Sequence, residues 1–180
     1  MKIYTRKGDD GTTGLLYGGR VAKDSPLPTA YGEVDEAQAV LGMARAEAAP
    51  GGELDTMLIA LERDLWVLMA ELAASPEHRD RLVAGTSLVT AEMVSDLEGQ
   101  IDAVSERFEA PNEFVVPGEN RVAATLDLAR TVVRRAERHA LSAVVDGSQV
   151  VPYLNRLSDL LWALARWQGG QALIAREARS

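Results

Sequence analysis

The sequence predicts an all-α fold, a five-helix antiparallel bundle. Long segments repeat apolar residues at helical spacing, most clearly Leu54, Leu58, Leu61, Leu65, Leu68 and Leu72. Aromatic residues make up only 5% of the chain, so Leu, Val, Ala and Met must carry the packing, which favours helices. Breaks such as Pro50-Gly51-Gly52 and Gly169-Gly170 punctuate the periodic segments. At 180 residues the chain reads as one domain, with an N-terminal loop over 1–28 and a helical bundle over 29–176.

Residues 1–28 lack a helical pattern, and Lys2 to Thr5 suit a short extended piece. Five glycines then fall between positions 8 and 19, mixed with Asp9, Asp10, Thr12 and Thr13, and Pro26 and Pro28 close the segment. Such composition is common in free tails. Leu15, Leu16 and Tyr17 argue otherwise, because a free tail has no use for them. The first helix is expected over 29–48, with Val34, Leu41 and Ala44 or Arg45 turning by helical steps. The second is expected over 53–74, ended by Ser75-Pro76, and a polar, irregular connection follows over 75–89. A third, over 90–109, opens on a weak Thr90 cap and turns Met93, Leu97, Ile101 and Val104 to one side. After a break at 110–118, a fourth runs from 120 to about 145, with Val122, Leu126, Ala129, Val133 and Ala136 on one stripe. The fifth, over 151–167, is followed by a short last helical piece to Arg176.

Composition narrows the chemistry. A formal charge of −8 and a pI near 4.8 exclude nucleic acid and anionic membrane as main partners. Without cysteine there is no disulfide, thiolate site or cysteine nucleophile, and two histidines leave little for a zinc site or a Ser-His-Asp triad. No apolar run approaches the roughly 20 residues of a membrane helix, and the start lacks a signal peptide's apolar core. A cytoplasmic protein is expected.

Against an acidic background, clustered cations stand out. In Thr5-Arg-Lys-Gly-Asp-Asp-Gly-Thr-Thr-Gly14, glycines permit close backbone approach beside hydroxyls and a lysine, the parts of a phosphate cradle or of a plain turn cluster. It is not a Walker A loop, since Lys7 precedes Gly8. Arg20 and Lys23 extend the positive set. On the fourth helix, Arg130, Arg134 and Glu137 share a stripe next to the core face, which suits either an anion site or a solvated face. Asp35 and Glu36 are expected near the start of the first helix, where the macrodipole favours carboxylates; Asp35 gains interest if it pins an arginine of the fourth. Phe114, in a break between helices, suits a plug over the core. Asn155, Asp159, Trp162 and Arg166 share one side of the fifth helix.

In collinear order, the stretches Tyr-Thr-Arg-Lys-Gly-Asp-Asp-Gly-Thr-Thr-Gly-Leu, Gly-Arg-Val-Ala-Lys-Asp, Ala-Tyr-Gly-Glu-Val-Asp-Glu, Phe-Val-Val-Pro-Gly, Ala-Arg-Thr-Val-Val-Arg-Arg-Ala-Glu-Arg and Tyr-Leu-Asn-Arg-Leu-Ser-Asp-Leu-Leu resemble the PduO-type ATP:cob(I)alamin adenosyltransferases. The resemblance covers nearly the whole chain. It implies a homotrimer with active sites between subunits, acting on ATP, cob(I)alamin and Mg²⁺. By motif match, Thr5, Arg6, Lys7, Gly8, Asp10, Gly11, Thr13 and Lys23 would fold over ATP, joined by Arg130, Arg134, Glu137 and Asn155. Glu137 would also face the Mg²⁺ that the triphosphate mainly holds. Phe114 would close the lower face of the corrinoid, and Asp35 would bridge to Arg130 of a neighbouring subunit beside it. A reductase and an adenosylcobalamin-dependent enzyme are the implied partners.

The cobalt supplies the nucleophile in such a reaction, which suits a chain without Cys and nearly without His. Glu119, after Pro117-Gly118, and Asp127, where histidine is common in the family, depart from the pattern and add negative charge beside the proposed site. Two other readings compete: a non-catalytic trimeric ATP- or corrinoid-binding sensor or carrier, and an ordinary NTPase, which the missing Walker A loop disfavours.

Overall fold

The computed structural model describes residues 3–176. Five long helices build it: α1 (Pro26–Glu47), α2 (Glu53–Leu72), α3 (Ala91–Ser105), α4 (Arg121–Ala140) and α5 (Val150–Gly169). Helix α4 packs against α1 and α5, α2 lies on α1, and α3 lies on α5. Helix α2 also meets α5, where the Tyr153 hydroxyl donates to Asp64 Oδ2 at 2.8 Å. The expected stripes form the core. All six α2 leucines are buried, as are Leu126, Ala129, Val133 and Ala136 of α4 and Leu154, Leu157, Leu161 and Leu164 of α5.

Local chemistry moves several boundaries. Helix α1 begins at Pro26, three residues before the expected start, because prolines at the first helical positions need no N–H partner and preset φ. Asp35 and Glu36 therefore sit inside α1, beyond the reach of its N-terminal dipole. Thr90 does cap α3, its hydroxyl accepting the Met93 N–H at 3.3 Å, but that helix stops at Ser105. Asn120 caps α4 through the Ala123 N–H at 2.8 Å, and its Nδ2 donates to the Gln168 carbonyl, tying α4 to the end of α5. Helix α4 ends at Ala140, five residues short of expectation, with turns following. A short 3₁₀ helix (Pro76–Arg81) occupies part of the irregular connection.

Two segments differ in kind. Within the N-terminal loop, expected to be non-helical, β1 (Thr12–Gly14) pairs antiparallel with β2 (Arg20–Ala22). Three-residue strands are too short to leave a period in sequence. Lys2 lies outside the described residues, and 3–5 form no strand. The short helix expected before Arg176 is absent. After Gly170 turns the chain with φ 73°, residues 173–175 run back along the Phe114 segment: Val116 N–H donates to the Leu173 carbonyl and Ala175 N–H to that of Phe114. Backbone pairing with a distant segment outweighs helix propensity over so few residues.

Candidate active site

The N-terminal loop is ordered by its own polar groups. The Thr12 N–H and hydroxyl both donate to Asp10 Oδ1, at 3.0 and 2.8 Å, and hold that carboxyl below the ordinary carboxylate value. Arg20 donates to Thr12 Oγ1 and to the Lys7 carbonyl, so its guanidinium staples the loop and is not spare positive charge. The Lys23 N–H bonds the Gly11 carbonyl, while its ammonium lies so close to Gly8 that a Cβ there would sit 3.1 Å from Nζ. Gly11 has φ 79°, a conformation glycine adopts without steric cost. Beyond the cradle, Leu16 N–H donates to Ala73 at the end of α2, and Arg81 stacks on the Tyr17 ring at 4.3 Å. Thr5, Arg6 and Lys7 are exposed, and Arg6 lies over the Tyr4 ring.

Helix α4 sorts its cations by the partners that other helices offer. Arg135 donates to Glu33 and Glu36 of α1, and these carboxylates, Glu36 foremost, raise its pKa further above the ordinary arginine value. Arg138 folds back on the carbonyl of Arg134. The exposed side chain of Arg134 makes no hydrogen bond or ion pair among the described residues. One turn on, partly buried Glu137 accepts from Asn155 Nδ2 at 3.1 Å, and Asn155 in turn accepts from Arg156. The guanidinium left accessible is thus followed by an oriented carboxylate.

Toward the start of α4, an open cavity of about 1000 Å³ is lined by Phe114, Val115, Pro117, Asp127, Arg130 and Trp162. Phe114 is 91% exposed, which overturns its reading as a plug over the core. Phe108 packs inside instead, edge-to-face with Trp162 at 5.9 Å. The pairing of 114–116 with 173–175 holds the Phe114 segment away from the bundle. Arg130 Nε lies 3.7 Å from Asp127 Oδ1 on its own helix. Asp35 is exposed on α1 and makes no ion pair among the described residues, so no bridge to Arg130 exists within one chain.

Sequence reading missed a buried charge. Arg166, assigned to the polar side of the fifth helix, is only 3% exposed; its Nη2 donates to Asp127, and its Nη1 lies 3.8 Å from Glu119. Glu119 and Asp127 therefore face an internal cation, and the negative charge expected beside the cavity is compensated. The one available signal was the step of four residues from Trp162 to Arg166, which puts the arginine on the same face as a ring packed against the core. Among the described residues, no group of three His, Asp or Glu side chains is placed to hold a metal ion.

The loop cradle and the α4 residues form two separate sets, since no hydrogen bond or ion pair joins them among the described residues. The cradle offers backbone N–H groups and lysines, and α4 offers a guanidinium and a cavity. Such parts suit binding a polyphosphate beside a large apolar group.

Comparison with known proteins agrees in sequence and shape. A corrinoid adenosyltransferase of Mycobacterium tuberculosis is 42% identical over 174 residues, covering 92% of this chain and 87% of that protein. A phenylalanine-to-histidine variant of a PduO-type ATP:corrinoid adenosyltransferase from Lactobacillus reuteri, solved with cobalamin and ATP, superposes with a TM-score of 0.85 at 29% identity, covering 97% of each chain. An arginine-to-lysine variant of a PduO-type enzyme from the same organism, solved with ATP, gives 0.83 at 28% identity, covering 97% of this chain and 100% of that one. The family model for cobalamin adenosyltransferase matches residues 3–168, and the chain belongs to that family.

Proposed function

We infer that this protein transfers the 5′-deoxyadenosyl group of ATP to the cobalt of a Co(I) corrinoid, giving adenosylcobalamin and triphosphate. The observation that carries this reading is the layout of α4. It runs from an open cavity with an exposed phenylalanine, through Arg130, to an exposed guanidinium at Arg134 and the oriented carboxylate of Glu137. From 127 to 137 the helix rises about 15 Å, enough to separate a corrinoid from a triphosphate tail while holding both to one rigid element. In the reaction the cobalt electron pair forms the Co–C5′ bond, and the C5′–O pair departs on triphosphate. The protein's task is in-line positioning and positive charge on the leaving group. Arg134 suits the second, since its planar fork matches phosphate oxygens.

Thr5, Arg6, Lys7, Gly8, Asp10, Gly11, Thr13 and Lys23 form the cradle for ATP, with Asn155 orienting Glu137. Mg²⁺ fits as an ion carried by the triphosphate, because the donor set contributes one carboxylate, Glu137, and no metal cluster of its own. The loop of one subunit completes the α4 surface of its neighbour in a homotrimer, and Asp35 crosses the same boundary to Arg130. That arrangement gives exposed Asp35 a partner that it lacks among the described residues of its own chain. Phe114 meets the lower face of the corrinoid and excludes an axial ligand, easing reduction of Co(II). The solved relatives support attention to this residue type, since one is a phenylalanine variant, and of the two phenylalanines here only Phe114 is free to meet a ligand. No described helix is long and apolar enough to cross a membrane. We place the enzyme in the cytoplasm, supplied with electrons by a reductase and delivering its product to an adenosylcobalamin-dependent enzyme.

The test is anaerobic mixing of protein, ATP, Mg²⁺ and chemically reduced cobalamin, followed by absorbance and phosphate analysis. Adenosylcobalamin and triphosphate are expected in equal amounts. ATP binding without product would point to a non-catalytic sensor or carrier, and release of phosphate or pyrophosphate would contradict the displacement.

A further inference from the structure

Four buried side-chain polar atoms lack a hydrogen-bond partner among the described residues, and all belong to one cluster: Glu119 Oε1, Arg130 Nε, and Nε and Nη1 of Arg166. Buried polar groups are normally paired, so such a concentration marks a place where pairing is withheld. The cluster holds two carboxylates, Glu119 and Asp127, and two guanidiniums, Arg130 and Arg166. Asp127 is their hinge. Its Oδ2 takes a hydrogen bond from Arg166 Nη2, whereas its Oδ1 stands 3.7 Å from Arg130 Nε, beyond hydrogen-bond length.

Asp127 and Arg130 are three residues apart on α4 and face one another. A carboxylate with no other cation would draw such a neighbour into a forked, charge-assisted pair. Arg166 prevents this, being fixed on α5 at 3% exposure with Glu119 on its far side. We propose that Arg166 is a positioning residue that engages Asp127 and so keeps Arg130 from folding onto that carboxylate, leaving the Nη groups of Arg130 to face a polyphosphate beside Asp35 of the neighbouring subunit. The identity of that polyphosphate as ATP rests on the function inferred above; the competition between the two arginines does not.

The experiment compares native protein, R166Q, R166K, D127N and D127N/R166Q as full chains. ATP affinity is measured by calorimetry, and the proton chemical shift of the Arg130 Nε–H, which reports its hydrogen bonding, is followed by nitrogen-15 NMR, the signal being assigned by its loss in R130K. In R166Q, Asp127 is expected to capture Arg130. ATP affinity should fall about tenfold or more, the worth of one charge-assisted hydrogen bond, and the Nε–H resonance should move downfield as it bonds the Asp127 carboxylate. R166K should recover part of the loss. D127N/R166Q should return to within about threefold of native affinity, because an asparagine at 127 carries no charge to draw Arg130 into a charge-assisted pair. A double variant as weak as R166Q, or unchanged ATP affinity in R166Q, would overturn the proposal. Should R166Q fail to fold, D127N decides: it must bind ATP at least as tightly as native, and a clear loss would sink the idea. If native protein binds no ATP, the functional reading fails, and the NMR comparison still tests the positioning role, with an equal Nε–H shift in native and R166Q refuting it.

Discussion

At Phe114, sequence context and structure point in opposite directions. An aromatic side chain between helices normally buries its ring, since burial of such a group contributes roughly 2–3 kcal/mol. This one is 91% exposed on a segment held by two backbone hydrogen bonds to 173–175. Exposed in this way, the ring contributes none of that burial to the stability of the single chain. Phe114→Ala should therefore leave the thermal midpoint nearly unchanged. Turnover should fall much more when the starting corrinoid is Co(II) than when it is already Co(I). Equal losses in the two anaerobic assays would remove the proposed role in displacing an axial ligand.

Between elements, buried carboxylates fasten the connections that bring the loop and helices together. Glu71, near the end of α2, is 1% exposed and accepts from Arg79 at 2.7 Å, from the Val89 N–H at 2.8 Å and from the Ser148 hydroxyl at 2.6 Å. One side chain thus joins the 3₁₀ helix, the strand-like approach to α3 and the α4–α5 turn. Glu71→Ala leaves a partly buried guanidinium and two further donors without their acceptor, a loss of about 2–3 kcal/mol. Urea unfolding should read it as a lower midpoint, and an unchanged midpoint would contradict the clamp.

Asp55 holds the α1–α2 corner in the same manner, accepting from the Gly51 N–H at 2.7 Å and from Arg45 Nε at 2.8 Å. These donors, the Gly51 N–H foremost, hold its carboxyl below the ordinary value of 3.8. A depressed folded-state pKa means that the unfolded chain takes up the proton first. The stabilisation is therefore full above pH 3.8 and disappears as pH falls through the lower folded value. Asp55→Asn should lower the thermal midpoint at neutral pH, with the deficit shrinking toward pH 3. A constant deficit across that range would show that the charge is not responsible.

For the whole molecule, the separation of the loop cradle from the α4 residues predicts how defective subunits behave together. Lys7→Ala disables one part of the site and Arg134→Ala the other. If each site takes its loop from one subunit and its helix from the next, a randomly mixed trimer of the two variants contains about one intact site in four. Co-expression of two inactive variants should restore about a quarter of native activity. Absence of recovery in verified mixed trimers would place both parts in one chain. Asp35→Arg should independently weaken assembly, read as a smaller species by analytical ultracentrifugation.

The arrangement of helices was legible because each core face repeats at helical spacing, and the six leucines of α2 alone fix which side turns inward. The cradle was legible as a cluster of Gly, Thr, Asp and Lys, and the collinear motifs gave the family. Its hairpin was not, because strands of three residues carry no period. Periodicity also says which way a side chain faces, but not which charge awaits it on another helix. Arg134 and Arg135 are adjacent and chemically identical, yet Arg135 is taken by Glu33 and Glu36, about a hundred positions away, while Arg134 stays accessible. Arg166 has the spacing of a surface residue and lies buried against Asp127. The sequence by itself determined the helical elements, the inward faces and the inventory of site residues, which are local properties of spacing and residue type. Only the tertiary structure decided which cations are spent and which remain free, because pairing at the site depends on contacts between residues far apart in the chain.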